Sequence, residues 1–316
     1  MNRILVIRGG AIGDFVLTLP ALRALREAYS NAHLEILGYK HIAVLAETAG
    51  YADAVHSIEY GPLSSFFARN AELPRELANY FNSFDLVFSY LYDPDRIFES
   101  NLRRAGVENL IIGPGKLANR EHAAEQLARP LQELGIYVSD FAPRIVPSLQ
   151  DRHGASAFLR GCPQPVIVLH LGSGSEKKNW PFGNWVELGN ELLGAESFGG
   201  SIVIVSGEAD EAQAAKLETI WTTERVRFAK NLPLPLLAAI LEHTVFVGHD
   251  SGISHLAAAA GGHCILLFGP TDPQIWAPRN DNVRSIQAPN GDLRRLDVDL
   301  VRAALAQELM RIGINT

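Results

Sequence analysis

Three short clusters of small and polar residues could carry chemistry, and each directly follows an apolar run typical of a buried strand. The first is RGGAIGD at positions 8–14. Its glycines, Gly9, Gly10 and Gly13, allow the backbone to turn tightly, and Asp14 adds a carboxylate where a helix is predicted to begin. Aspartate is also a common helix cap, so Asp14 is either a cap or a catalytic carboxylate, and the spacing alone favours the cap.

The second cluster is HLGSGSEKKNWP at positions 170–181. A loop of small residues leaves its backbone N–H groups open, and Lys177 and Lys178 follow, so an anion such as a phosphate is the expected guest. Neither the P-loop pattern nor the G-x-S-x-G nucleophile turn fits this string. For Lys177 alone, a solvated surface position is the simpler interpretation.

The third cluster is VGHDSGISHLAAA at positions 247–259. Asp250 and Ser251 are predicted to cap a helix that begins near Gly252, and the amides of its first turn suit a diphosphate. His255 lies one turn into this helix, where it could hydrogen-bond a phosphate oxygen. A single histidine is more often structural, and we do not expect His255 to act as an acid or a base.

The elements that must position these clusters alternate between short apolar runs and longer stretches of helical period, which indicates βα units around parallel sheets. A helix is predicted over Phe15–Tyr29, a linker over Tyr137–Ser148 and an amphipathic last helix over Leu296–Ile312. The fold class is therefore α/β, with two doubly wound Rossmann-like domains facing each other across a cleft, and with ligands bound beyond the carboxyl ends of the strands. The predicted strands are Arg3–Arg8, His33–Leu37, Ala54–Ile58, Asp85–Ser89, Asn109–Ile112, Val166–Leu169, Ser201–Val205, Arg225–Phe228, Thr244–Val247 and Cys264–Phe268.

Composition excludes several classes of protein. The 316 residues are 47% hydrophobic with a formal net charge of −7, which argues against a disordered chain and against a dedicated nucleic-acid binder. Two cysteines, Cys162 and Cys264, are too few for a disulfide scaffold. The histidine spacing predicts no metal site, and no apolar run reaches membrane-spanning length. We expect a soluble cytoplasmic protein.

Together the three strings resemble glycosyltransferase family 9, the ADP-heptose:lipopolysaccharide heptosyltransferases. The matching strings are RGGAIGDFVLTLPALRALRE, HLGSGSEKKNWP, VGHDSGISHLAAAAGG and LFGPTDPQIW, in the same order along the chain. The resemblance implies a GT-B fold with an acceptor-binding domain at 1–148 and a nucleotide-sugar-binding domain at 149–295. It also implies that the last segment, 296–316, crosses back toward the N-terminal domain as a helix.

The resemblance further implies an inverting, metal-independent transfer of heptose from ADP-heptose that uses no cofactor. Asp14 matches the general base, and Lys178 matches the lysine that binds phosphate. Ser251, Gly252 and His255 match the diphosphate loop, whereas Asp250 would accept hydrogen bonds from sugar hydroxyls and Glu208 would hold the ribose. The full donor-binding set is Ser173, Lys178, Glu208, Asp250, Ser251, Gly252 and His255.

The acceptor side matches the family least. A glycolipid acceptor is anionic, and the candidate groups for it are Arg96, Arg103, Arg104 and Arg120. The implied partners are a nucleotide sugar and a glycolipid or glycan acceptor, and no nucleic acid. We expect a monomer that contacts the inner membrane peripherally at most.

Other interpretations stay open at this point. The same fold could use another nucleotide-sugar donor or a protein acceptor, or bind a nucleotide sugar without transferring it. An NAD-dependent oxidoreductase is disfavoured, because the G-x-G-x-x-G fingerprint would place its first glycine where Arg8 stands.

Overall fold

The chain forms two units, Met1–Phe141 and Ala142–Thr316, in the computed structural model, which describes residues 1–195 and 197–313. The division falls within the predicted linker and seven residues before the predicted boundary at 148. Each unit contains one parallel sheet with helices, so the α/β prediction is confirmed.

The first unit contains a five-stranded sheet in the order β3-β2-β1-β4-β5. Its strands are β1 Arg3–Arg8, β2 His33–Gly38, β3 Ala54–Ser57, β4 Leu86–Ser89 and β5 Leu110–Ile112. Its α-helices are α1 Ile12–Val16, α2 Leu19–Ala28, α3 Lys40–Thr48, α4 Arg75–Asn82, α5 Ile97–Arg104 and α6 Ala123–Ala128. Short 3-10 segments cover Gly61–Phe67 and Arg129–Leu134.

The second unit contains a six-stranded sheet in the order β11-β10-β9-β6-β7-β8. Its strands are β6 Val166–His170, β7 Ser201–Ser206, β8 Val226–Lys230, β9 Val245–His249, β10 His263–Phe268 and β11 Val283–Gln287. Its α-helices are α7 Leu149–Phe158, α8 Phe182–Gly194, α9 Glu211–Ile220, α10 Leu234–Leu241, α11 Gly252–Ala259, α12 Pro273–Trp276 and α13 Val298–Arg311. The 3-10 turns are Glu176–Lys178, Pro289–Gly291 and Leu293–Arg295.

The predicted helix over Phe15–Tyr29 is wrong in its continuity, since two helices, α1 and α2, occupy the region. Pro20, near the start of α2, has no N–H to donate, and its ring would collide with a carbonyl one turn earlier. The Thr18 hydroxyl, which donates to the Asp14 carbonyl at 2.8 Å, closes the end of α1. Asp14 therefore lies on a separate five-residue helix.

The predicted last helix is present as α13, and its residues Val301, Ala304, Leu305 and Leu309 are buried in the core of the second unit. The described part of this helix therefore packs into the core of the second unit, and its crossing toward the N-terminal domain stays a prediction. Residues 314–316 of the predicted segment lie outside the described residues. Within the described ranges, none of the helices combines the length and the apolar character that a membrane span requires.

The core of the second unit depends on a close contact between α8 and Trp221. A Cβ atom at Gly189 would lie 2.2 Å from the Trp221 ring, so only glycine fits there. The far end of the same helix provides a contrast, because a Cβ atom at Gly194 would meet no other atom within 4 Å.

We therefore expect Gly189→Ala to destabilise the second unit by about 1–3 kcal/mol through overpacking. Gly194→Ala is the matched control on the same helix, and we expect it to change stability by less than about 1 kcal/mol. Urea unfolding followed by tryptophan fluorescence measures this, because the four tryptophans, Trp180, Trp185, Trp221 and Trp276, all belong to the second unit. Equal stability of the two variants would contradict the packing argument.

Candidate active site

The glycine loop of the first unit follows β1 and leads into α1. Gly10 has a φ of +100°, which favours glycine, and a Cβ atom there would lie 3.1 Å from an Asp14 carboxylate oxygen and crowd it. Ala11 is the N-cap of α1, and Asp14 reaches back to the Ala11 N–H at 3.4 Å. Asp14 is therefore not the N-cap residue, and its half-buried carboxylate stands at the carboxyl end of the central strand.

Arg8 lies directly behind this loop and is almost fully buried. Its guanidinium donates to the Asp14 carbonyl and to the Thr18 hydroxyl, each at 3.1 Å. Burial lowers the pKa of Arg8 from its usual value, while Asp14 and Tyr90 act in the opposite direction. Sequence reasoning gave this arginine no role, because a strand-end arginine does not reveal that it will be buried.

In the second unit, the loop after β6 is closed by its own hydrogen bonds. The Ser173 hydroxyl contacts the Ser175 carbonyl at 2.9 Å and the Asn179 side chain at 2.7 Å, and a 3-10 turn follows at Glu176–Lys178. This turn aims Lys178 toward the end of β9, the strand that pairs with β6.

Lys178 and Asp250 form an ion pair, with the ammonium nitrogen 2.7 Å from a carboxylate oxygen. The other oxygen of Asp250 lies 3.8 Å from Nε2 of His255. Burial of Asp250 acts to raise its pKa, but His255 and Lys178 outweigh this and leave the pKa well below its usual value. Asp250 is therefore an ionised carboxylate that can accept hydrogen bonds.

Ser251 is the N-cap of α11, as predicted, and its hydroxyl accepts from the Ser254 N–H at 3.3 Å. Gly252 begins the helix, and the buried His255 lies one turn in, beside Asp250. The structure thus brings five of the seven predicted donor residues, Lys178, Asp250, Ser251, Gly252 and His255, to the ends of β6 and β9. Amides at a helix N-terminus and a nearby lysine are suited to a phosphate.

Glu208 follows β7 and is exposed, in a turn that Asp210 closes by accepting the Gly207 N–H at 2.7 Å. Asp210 itself is buried, and one of its oxygens lies 3.6 Å from Nε2 of His170. A Cβ atom at Gly172 would be 2.6 Å from the Asp210 side chain. Asp210 therefore closes the turn after β7 and packs against the loop after β6. Its sequence context did not reveal this position.

Two buried histidines end adjacent strands of this sheet. Burial lowers the pKa of His170 to about 4, although Asp210 partly opposes the shift. Burial, and then the nearby His170, lower the pKa of His249 to about 3. Both are therefore neutral near pH 7. His170 contacts the Ser251 hydroxyl at 3.3 Å, which ties it to the cap of α11.

The four predicted acceptor arginines do not form one cluster in the first unit. Arg96 and Arg104 line a cavity of about 280 Å³ together with Arg69, which the sequence analysis did not select. Arg96 already pairs with Glu99 at 2.7 Å. Arg103 donates to the Glu108 and Leu110 carbonyls, and Arg120 is exposed and is not among the residues that line this cavity.

Among residues 1–195 and 197–313, no group of three or more histidine, cysteine, aspartate or glutamate side chains is arranged to hold a metal ion.

The two buried histidines make the stability of the second unit depend on pH. The unfolded chain binds a proton at each histidine near pH 6.5, whereas the folded chain does so only near pH 4 or 3. Their contribution is complete above pH 6.5 and is lost as the pH falls toward 4, at about 1.4 kcal/mol per pH unit for each histidine. Urea unfolding at several pH values measures this slope.

His170→Asn should reduce that slope by about 1.4 kcal/mol per pH unit, which is the contribution of one proton. His153→Asn, at an exposed histidine of α7, is the control substitution. An equal slope in the two variants would show that His170 is not the titrating group.

Sequence comparison and structure comparison relate this chain to the same family of known proteins. The family model for glycosyltransferase family 9 (heptosyltransferase) matches residues 119–298. Lipopolysaccharide heptosyltransferase 3 of Escherichia coli is 24% identical over 90% of this chain and 88% of its own length. Lipopolysaccharide heptosyltransferase 1 of Salmonella typhimurium is 27% identical over 49% of each chain.

Solved structures share the whole fold. A family 9 glycosyltransferase from Veillonella parvula superposes with a TM-score of 0.80 at 20% identity, covering 98% of this chain and 97% of that one. The ADP-heptose lipopolysaccharide heptosyltransferase II of Escherichia coli gives 0.79 at 18% identity, with 99% of both chains covered. With the family model covering more than half of its length, the chain belongs to glycosyltransferase family 9, the heptosyltransferases, and has the GT-B fold of that family.

Proposed function

We propose that this protein transfers heptose from ADP-heptose to a lipopolysaccharide core or a related glycan, with inversion at the anomeric carbon and without a metal ion. The observation that carries the proposal is the cluster at the ends of β6 and β9, where Lys178, Asp250 and the start of α11 come together. Related structures support the choice of donor, since one Escherichia coli heptosyltransferase was solved with ADP and again with ADP-2-deoxy-2-fluoro heptose.

In this proposal the second unit binds the donor. The first-turn amides of α11, Lys178 and His255 hold the diphosphate and stabilise the negative charge that grows on it as the bond to the sugar breaks. Asp250 accepts hydrogen bonds from sugar hydroxyls, Ser173 belongs to the loop that carries Lys178, and the exposed Glu208 holds the ribose hydroxyls.

Lys178 changes partner in this scheme. Its charge is balanced by Asp250 at 2.7 Å, and its side chain is 30% exposed, so it can reach an arriving phosphate. The diphosphate carries more negative charge than one carboxylate and attracts the ammonium group more strongly. Asp250 is then released to accept from the sugar.

The first unit supplies the general base. Asp14 takes the proton of the acceptor hydroxyl while that oxygen attacks the anomeric carbon on the face opposite the diphosphate. The new carbon–oxygen bond forms as the bond to the diphosphate breaks, and the bonding electron pair leaves with ADP. Attack from the opposite face inverts the configuration at that carbon.

We place the reaction at the cytoplasmic side of the inner membrane, where a glycolipid acceptor would be met peripherally. Arg69, Arg96 and Arg104 line the basic cavity of the first unit and are the candidate contacts for acceptor phosphates. We keep Arg103 and Arg120 as weaker candidates.

The general-base role is tested by Asp14→Asn, which keeps the size of the side chain and an acceptor for the Ala11 N–H. We expect transfer to fall at least about 10²-fold, the usual scale of a general base, with donor affinity within about threefold. Asp297→Asn removes the charge of a true helix cap, at the start of α13, and should leave transfer nearly unchanged.

The release of ADP from ADP-heptose, in the presence of a lipooligosaccharide acceptor, measures transfer. Calorimetry measures donor binding. Full activity of Asp14→Asn would show that Asp14 is only structural. Activity that survives EDTA is expected, and its loss on chelation would contradict the metal-independent scheme.

The phosphate role of Lys178 is tested against its exposed neighbour. Lys178→Ala should weaken ADP binding at least about tenfold, because a charge-assisted hydrogen bond to the diphosphate is lost. Lys177→Ala should change it by less than about threefold, since Lys177 is exposed and does not share the contact with Asp250. Equal effects of the two variants would remove Lys178 from the phosphate site.

A panel of nucleotides distinguishes the donors. ADP and ADP-sugars should raise the melting temperature more than UDP, GDP or CMP compounds or NAD at equal concentration. If another nucleotide alone raised the melting temperature, ADP-heptose would not be the donor. If NAD alone raised it, the transferase assignment would be overturned.

A further inference from the structure

His249 is a fully buried histidine at the end of β9 that has no part in the proposed transfer. Its Nε2 accepts the backbone N–H of Trp180 at 2.7 Å, in a buried hydrogen bond between residues 69 positions apart. The low pKa of His249 keeps the ring neutral, so Nε2 has a lone pair to offer throughout the neutral range.

Trp180 is held firmly at the end of the loop that carries Lys178. Its indole N–H donates to the Leu296 carbonyl at 2.9 Å, and its ring meets Trp185 edge to face with centroids 5.1 Å apart. His249 also meets Trp185 edge to face, at 5.3 Å. His249 is thus packed in the same cluster as the residue whose N–H it accepts.

Two neighbouring residues therefore hold this loop to the end of β9. Asp250 holds Lys178 by charge, whereas His249 holds Trp180, two residues later, by a neutral hydrogen bond. An arriving diphosphate would compete with Asp250 for the Lys178 ammonium but not for the Trp180 N–H, which is buried and already donated to His249. The His249 contact therefore survives the exchange of partners at Lys178.

We propose that His249 is a positioning residue that keeps Lys178 at the phosphate site by accepting the Trp180 N–H, an inference that rests on the proposed function. Without this acceptor, a buried N–H group is left unpaired, and the loop is expected to move away from β9 to satisfy it. Lys178 moves with the loop, and the diphosphate loses its contact.

The test compares substitutions that differ in where they place an acceptor. The amide oxygen of His249→Gln reaches the position of Nε2, whereas His249→Asn reaches only the position of Nδ1 and His249→Leu has no acceptor. Isothermal calorimetry with ADP should give a dissociation constant within about threefold of wild type for Gln, and at least about tenfold higher for Asn and Leu.

His249→Leu preserves the apolar packing around Trp185, so the comparison stands if the Asn variant does not fold. Rescue by glutamine is the readout that a merely space-filling role would not produce. Equal affinities for all three variants, or equal losses that include glutamine, would overturn the inference.

A double-mutant cycle shows whether His249 acts through Lys178. His249→Leu should cost about tenfold in the wild-type background and less than about twofold when Lys178→Ala is already present. Full and independent losses would mean that His249 acts elsewhere, while the proposed function stands. A wild-type protein that binds no ADP would overturn the proposed function itself, and with it the role of His249.

Discussion

The candidate donor site depends on the ion pair between Lys178 and Asp250. Asp250 is buried at the end of β9, and a carboxylate in such a place is costly unless a cation compensates it. Lys178 supplies that cation from the loop after β6, so one contact both stabilises the buried charge and joins two strand ends. The N-terminus of α11 then lies next to a lysine that can exchange Asp250 for an anion of higher charge.

The sequence was sufficient for most of the fold. Ten of the eleven strands in the described part of the chain were predicted close to their observed bounds, because strands covered on both faces are continuous apolar runs. β11 was missed, since Val283–Gln287 is an edge strand with three exposed positions and only two apolar residues, Val283 and Ile286. The break between α1 and α2 was missed because the apolar period continues across Pro20.

The candidate site could be predicted only where function follows from a local string. Ser251, Gly252 and His255 share one helix start, so their proximity follows from spacing alone. Arg8 owes its role to burial, whereas Asp210 and His249 owe theirs to burial and to partners far along the chain, such as Trp180 for His249. Local patterns carry no information about such contacts.

The packing of Asp210 against Gly172 has a consequence for the family as a whole. The Asp210 side chain occupies the space that a Cβ atom at position 172 would need. A relative with a side chain at position 172 must therefore have a smaller residue at 210, or a different course for the turn after β7. The two positions should vary together among family members, as a linked pair spanning the loop after β6 and the turn after β7.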